Sequence, residues 1–187
     1  STASKIVAGG DDQIGFIWDS QTGALLNRLE GHKGWIMSVN FSPDDQFILT
    51  ASLDKTGRLW DANTGALIRS FEGHKGGILS AAFSPDGSKV ITGSEDDTAI
   101  IWDTATGAIV RSLTGHTDDI FSVAFSPDGR FVATASGDGT ARLWNAETGE
   151  WVDGKVYTAK EGKLYCGVLK LNTNGTLYLR GYICGVK

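Results

Sequence analysis

Four tryptophans, Trp18, Trp60, Trp102 and Trp144, stand 42 positions apart, and the residues around them keep the same step. His32, His74 and His116 repeat with it, as do the turns Ser42-Pro43-Asp44, Ser84-Pro85-Asp86 and Ser126-Pro127-Asp128 and the pairs Thr22-Gly23, Thr64-Gly65, Thr106-Gly107 and Thr148-Gly149. A fixed period of this length means that each repeat is one supersecondary unit, unable to bury its apolar face alone and completed by stacking on its neighbours.

The repeat from His74 to Gly115 spells out the unit. Ile78 to Phe83, Lys89 to Ser94, Ala99 to Asp103 and Ala108 to Leu113 are predicted strands, rich in Val, Ile, Phe and Trp and broken by turn residues. In Ser84-Pro85-Asp86-Gly87, Pro presets the first turn angle and Gly tolerates positive φ. No sustained 3.6-residue periodicity supports a helix. Roughly half the positions of this repeat match the one before it, as expected of recent duplication or design.

A period of 40 to 45 residues carrying Gly-His and Trp-Asp resembles the WD40 family, from residue 1 to about residue 157. The resemblance implies an all-β chain of four-stranded β-propeller blades. On this reading residues 4–31 form an incomplete blade, and 32–73, 74–115 and 116–157 form complete ones. Residues 158–187 are a separate β-hairpin extension.

Each complete repeat holds a His, a Ser, an Asp and a Trp: His32, Ser52, Asp54 and Trp60; His74, Ser94, Asp96 and Trp102; His116, Ser136, Asp138 and Trp144. Ser, His and Asp within hydrogen-bond reach could support nucleophilic catalysis. Their recurrence at a fixed period, with no separate oxyanion-hole loop, favours structure over chemistry. In WD40 proteins the matching residues form a hydrogen-bonded tetrad tying a blade's loops together. No catalytic residue and no cofactor are expected. The three His lie in different blades and the two Cys, Cys166 and Cys184, lack zinc-ligand spacing, so no metal site is indicated.

A formal charge of −5 with 17 scattered Lys and Arg gives no basic stripe, which argues against nucleic acid. There is no run of 18 apolar residues to span a membrane, and no secretory signal precedes Ser1. A natural chain of this kind would be cytoplasmic, with peptides and proteins as its partners. The resemblance points to three positions per blade on the face that commonly binds partners: Trp35, Met37 and Leu53; Gly77, Leu79 and Glu95; Asp119, Phe121 and Gly137, with Asp11 in the incomplete blade. Trp35, Met37, Leu53, Leu79 and Phe121 would form an apolar cluster near the central channel that either recruits a partner or merely lines the channel or an interface between chains.

Residues 4 to 29 supply three strands of the first blade, since no Gly-His and no inner strand precede Ile6. Open strand edges invite association. Two copies would complete an eight-bladed ring, a closed homodimer.

The tail reads as strands Lys163 to Leu171 and Thr176 to Ile183, joined through Asn172-Thr173-Asn174-Gly175. Gly162-Lys163-Leu164-Tyr165 with Leu179-Arg180-Gly181-Tyr182 is similar to the end of a small, uncharacterised bacterial β-barrel family of the cell envelope. The hairpin's first strand is expected to replace the missing inner strand of the first blade, in the same chain or in a neighbour. A two-residue Asn174-Gly175 turn places Cys166 opposite Ile183 and leaves both thiols free. The abrupt start, the close repeats and the unlike tail suggest an engineered or recombined chain; a natural WD40 interaction module is the alternative.

Overall fold

The computed structural model describes residues 5–152 and the strands Tyr157–Thr158, Tyr165–Leu171 and Leu177–Ile183. The first blade is a three-stranded antiparallel sheet, β1 (Lys5–Gly9), β2 (Gly15–Asp19) and β3 (Leu25–Leu29). The second orders β4 (Ile36–Phe41), β5 (Phe47–Ser52), β6 (Thr56–Asp61) and β7 (Leu67–Glu72) from inner to outer edge. The third repeats it with β8 (Ile78–Phe83), β9 (Lys89–Ser94), β10 (Ala99–Asp103) and β11 (Ile109–Leu113). The fourth comprises β12 (Ile120–Phe125), β13 (Phe131–Ser136), β14 (Thr140–Asn145) and the short β15 (Tyr157–Thr158), preceded by a bridge between Trp144 and Trp151.

The turns follow the sequence chemistry. Ser84 Oγ donates to Asp86 Oδ1 at 2.6 Å, the Gly87 amide donates to the Ser84 carbonyl at 2.9 Å, and Gly87 has φ 71°. No blade has a core of its own. Ile17 and Leu29 of the first blade pack with Ile48, Trp60 and Ala62 of the second. Leu49, Ala51, Leu59 and Phe71 pack with Ile78, Ala81, Val90 and Trp102 of the third. Ile91, Ala99, Ile101 and Leu113 pack with Ile120, Val123, Val132 and Trp144 of the fourth. Because blades cover both faces of the second strand, five of the six residues of β9 are buried, a pattern that strict alternation would not give.

The first blade lacks this cover on one side. Ile6, Ile48, Val90 and Val132 are one period apart; the last three are fully buried, whereas Ile6 is 52% exposed. Trp18 is half-buried where Trp60, Trp102 and Trp144 are buried.

Strands β16 (Tyr165–Leu171) and β17 (Leu177–Ile183) form the tail hairpin. Its register departs from the sequence expectation, since Cys166 pairs with Tyr182 rather than Ile183. The outermost pair is Leu171 with Leu177, which leaves five residues between the strands, and an odd-length connection shifts the register by one relative to a two-residue turn. Asn174, Gly175 and Cys184 lie outside the described residues, as does any pairing of the thiols. β16 packs against β12 and reaches β13, as β12 packs against β8 and β9. It therefore follows the fourth blade, at the other end of the chain from the first, and does not fill the first blade's gap within its own chain.

Candidate functional site: the loop face of the blades

The His of each Gly-His sits just before an inner strand, and the Asp turns the chain from second to third strand. The fold joins them. His32 Nδ1 lies 2.8 Å from Asp54 Oδ2, His74 Nδ1 2.9 Å from Asp96 Oδ2, and His116 Nδ1 2.7 Å from Asp138 Oδ2. Each Asp also accepts from the Thr two residues on, as Asp96 does from Thr98 Oγ1 at 2.5 Å, and from the amide after the His, 2.7 Å from Lys75.

The hydroxyl partner differs from the sequence expectation. His Nε2 meets Thr50, Thr92 and Thr134 Oγ1 at 2.7, 2.8 and 2.8 Å, and the same oxygens accept the indole N–H of Trp60, Trp102 and Trp144 at 2.8, 2.9 and 2.9 Å. Ser52, Ser94 and Ser136 stand two residues further along the same strand face and accept the amides of Asp54, Asp96 and Asp138 at 3.1 Å. The strand's two-residue alternation puts both hydroxyls on one face, and only depth along the strand selects the Thr.

The protons form one consistent chain. Burial pushes His32, His74 and His116 below the ordinary imidazole range against the opposing pull of their Asp partners, so the rings are neutral at pH 7. Burial alone would raise Asp54, Asp96 and Asp138, but the hydrogen bonds from Thr, backbone amide and His outweigh it and hold each at about 2. Nδ1–H thus donates to the carboxylate, Nε2 accepts from the Thr hydroxyl, and that oxygen accepts from the indole. The Nε2 lone pair that a general base would turn on a nucleophile is engaged by a buried Thr.

Six of the nine rim positions pair into three equivalent corners. Leu53 N donates to Trp35 O at 2.9 Å, Glu95 N to Gly77 O at 2.9 Å, and Gly137 N to Asp119 O at 2.8 Å. Leu53 of one blade lies against Gly77 of the next, where a Cβ would come within 2.8 Å of Leu53 Cδ2, and Glu95 Oε2 accepts the Gly77 amide at 3.1 Å. Beside Gly137, Phe121 Cε2 lies 3.2 Å from where a Cβ would be. Trp35 is 54% and Met37 46% exposed, Leu53, Leu79 and Phe121 are half-buried, and Glu95 is exposed. Trp35 belongs to the second blade and Phe121 to the fourth.

An acidic group that the spacing does not signal lies on this rim. Carboxylate oxygens of Asp97, Asp118 and Asp119 all fall within 4.8 Å of one another. Burial, and then the charges of Asp118, Glu95 and Asp97, raise the Asp119 carboxyl above its usual range. Asp118 occupies the place of Gly34 and Gly76 in the earlier repeats. The hydrogen bond that the next-to-His amide gives the tetrad Asp is 3.3 Å long from Thr117 N to Asp138 Oδ2, against 2.9 and 2.7 Å from Lys33 and Lys75.

The repeats match the family model described as WD domain, G-beta repeat at residues 23–61, 65–103 and 107–145, more than half of the chain. The chain belongs to the WD40 repeat family. A second family, described as an uncharacterised protein conserved in bacteria, matches residues 129–187, overlapping the last WD40 repeat and extending through the hairpin. WD40 relatives include the U5 small nuclear ribonucleoprotein 40 kDa protein of Bos taurus, 45% identical over 51 residues, which are 27% of this chain and 14% of that protein. The Ribosome assembly protein 4 of Saccharomyces cerevisiae is 39% identical over 49 residues, 26% of this chain and 10% of that protein. The chain therefore matches only a small part of the length of these relatives.

Proposed function

We propose that this WD40 chain is a non-enzymatic scaffold that binds a peptide or protein segment on the rim carrying Trp35, Met37, Leu53, Leu79, Glu95, Asp119 and Phe121. The exposure of Trp35 carries the reading. A large indole left in water beside an exposed Met and a half-buried Leu is the kind of anchor that dominates protein interfaces. The three tetrads brace the corners beneath this rim and supply rigidity rather than reactivity. Relatives named for a ribonucleoprotein and for ribosome assembly support a role in assemblies rather than in metabolism.

Panning a random-peptide library on the protein tests this. Sequences enriched on the wild type are expected to lose binding at least tenfold on Trp35→Ala. Enrichment that is indifferent to Trp35→Ala, Met37→Ala and Phe121→Ala would move the site elsewhere.

A second reading, self-association as a homodimer, is favoured by the exposure of Ile6 on the uncovered side of the first blade. A recombined origin accords with two family models meeting within residues 129–145.

A further inference from the structure

We infer that Met37 is a site of reversible oxidation by hydroperoxides, and that its sulfoxide releases a peptide bound at the rim. This rests on the proposed peptide-binding role of the rim and adds a means of switching it. Met37 is the one methionine among the 187 residues.

The backbone presents this side chain. Along β4 and β5, Ile36 pairs with Ser52 and Ser38 with Ala51, so Met37 is an extra residue with no partner across the ladder. Such a bulge takes one residue out of the pleat and re-aims its side chain. The third and fourth blades carry the same bulge at Leu79 and Phe121. Of these three apolar side chains only Met37 contains sulfur, and it is 46% exposed where Leu79 and Phe121 are half-buried.

Exposure opens the thioether to the reagent. Its sulfur attacks one oxygen of a hydroperoxide, so that an S–O bond forms and the O–O bond breaks. The sulfur is oxidised by two electrons, and the transferred oxygen gives its proton to the leaving one, which departs as water or an alcohol. The product is methionine sulfoxide, which methionine sulfoxide reductases return to the thioether. With nearly half its surface in water, Met37 lies outside the three inter-blade cores, so the added oxygen stays hydrated and the fold is left intact.

A bound peptide changes that balance. An apolar residue seated on Met37 and on Trp35, two positions away and 54% exposed, would cover the sulfoxide oxygen. That oxygen then gives up water and gains no hydrogen bond from its apolar partner, a cost that the thioether does not carry. Leu79 and Phe121 have no sulfur to oxidise, so among the three bulges the sensitivity belongs to the second blade alone.

The test uses peptides selected by panning on the full, untreated chain. Treatment with hydrogen peroxide, followed by thiol reduction to reset Cys166 and Cys184, is expected to yield Met37 sulfoxide by mass mapping and an unchanged urea midpoint. Binding should weaken about tenfold or more, and a methionine sulfoxide reductase should restore it. Met37→Leu, whatever its own affinity, should bind equally before and after treatment. Peptides indifferent to Trp35→Ala, Met37→Ala and Phe121→Ala on the untreated chain overturn the rim's binding role and the switch with it. Peptides that depend on Trp35 yet bind the oxidised chain undiminished overturn the switch alone. So does a Met37 left unoxidised, a loss shared by Met37→Leu or not reversed by the reductase, or a fall in the urea midpoint.

Discussion

Replacing Thr92 with Val is the sharpest probe of the tetrads, because it keeps the branched shape and removes one oxygen. Thr92 is fully buried, between His74 Nε2 at 2.8 Å and Trp102 Nε1 at 2.9 Å. Its loss leaves a buried imidazole acceptor and a buried indole donor unpaired. Each orphaned group costs about 1–3 kcal/mol, so Thr92→Val is expected to destabilise by about 2–6 kcal/mol. Ser94→Ala removes only an acceptor for the Asp96 amide at 3.1 Å, a loss of about 1 kcal/mol. Urea unfolding followed by tryptophan fluorescence gives both values. A double-mutant cycle of Thr92→Val with Trp102→Phe should return a coupling of about 1 kcal/mol or more, since both changes break the same bond. If Thr92→Val costs no more than Ser94→Ala, or the cycle shows no coupling, the hydroxyl relay described above is wrong.

Stability should also follow pH with a definite sign. The three His are shifted down from 6.5, so the unfolded chain takes up protons first as pH falls below that value; their contribution is complete above about pH 6.5 and shrinks below it. Asp54, Asp96 and Asp138, held at about 2 against 3.8, add a contribution present above about pH 4 and lost towards pH 2. Melting temperatures measured across this range should fall continuously from neutral to acid, and a flat profile from pH 7 to pH 4 would contradict the assignment. Gly76→Ala should cost about 1–3 kcal/mol, because its Cβ would lie 2.7 Å from Asp96 N and 2.8 Å from Glu95 C, both backbone atoms. Gly10→Ala, with nothing within 4 Å of its Cβ, should stay within about 0.5 kcal/mol in the same denaturation assay.

Much of the fold was legible because a 42-residue step repeats its own evidence. Strand positions, the Gly87 turn and the three-stranded first blade all follow from residues that recur in register. The site was legible less evenly. The tetrad His, Asp and Trp could be found by their spacing, but Thr92 and Ser94 share a strand face and both are small hydroxyls, so the sequence offers no reason to prefer one. Asp118 gave no signal either, since its meaning comes from the fold bringing it and Asp119 beside Asp97, which is distant along the chain. The hairpin register turned on a connection length that Asn174-Gly175 misrepresents, because the strongest short turn signal need not sit at the centre of the loop.

The sequence by itself determined the blade, because strand propensity and turn chemistry act over a few residues and recur with each repeat. Only the tertiary structure decided which blade surfaces are covered. Ile6 and Ile48 are the same residue at the same place in the repeat, yet one is half in water and the other wholly buried. Burial here depends on the neighbouring blade: the second blade covers one side of the first, and among the described residues none covers the side that carries Ile6.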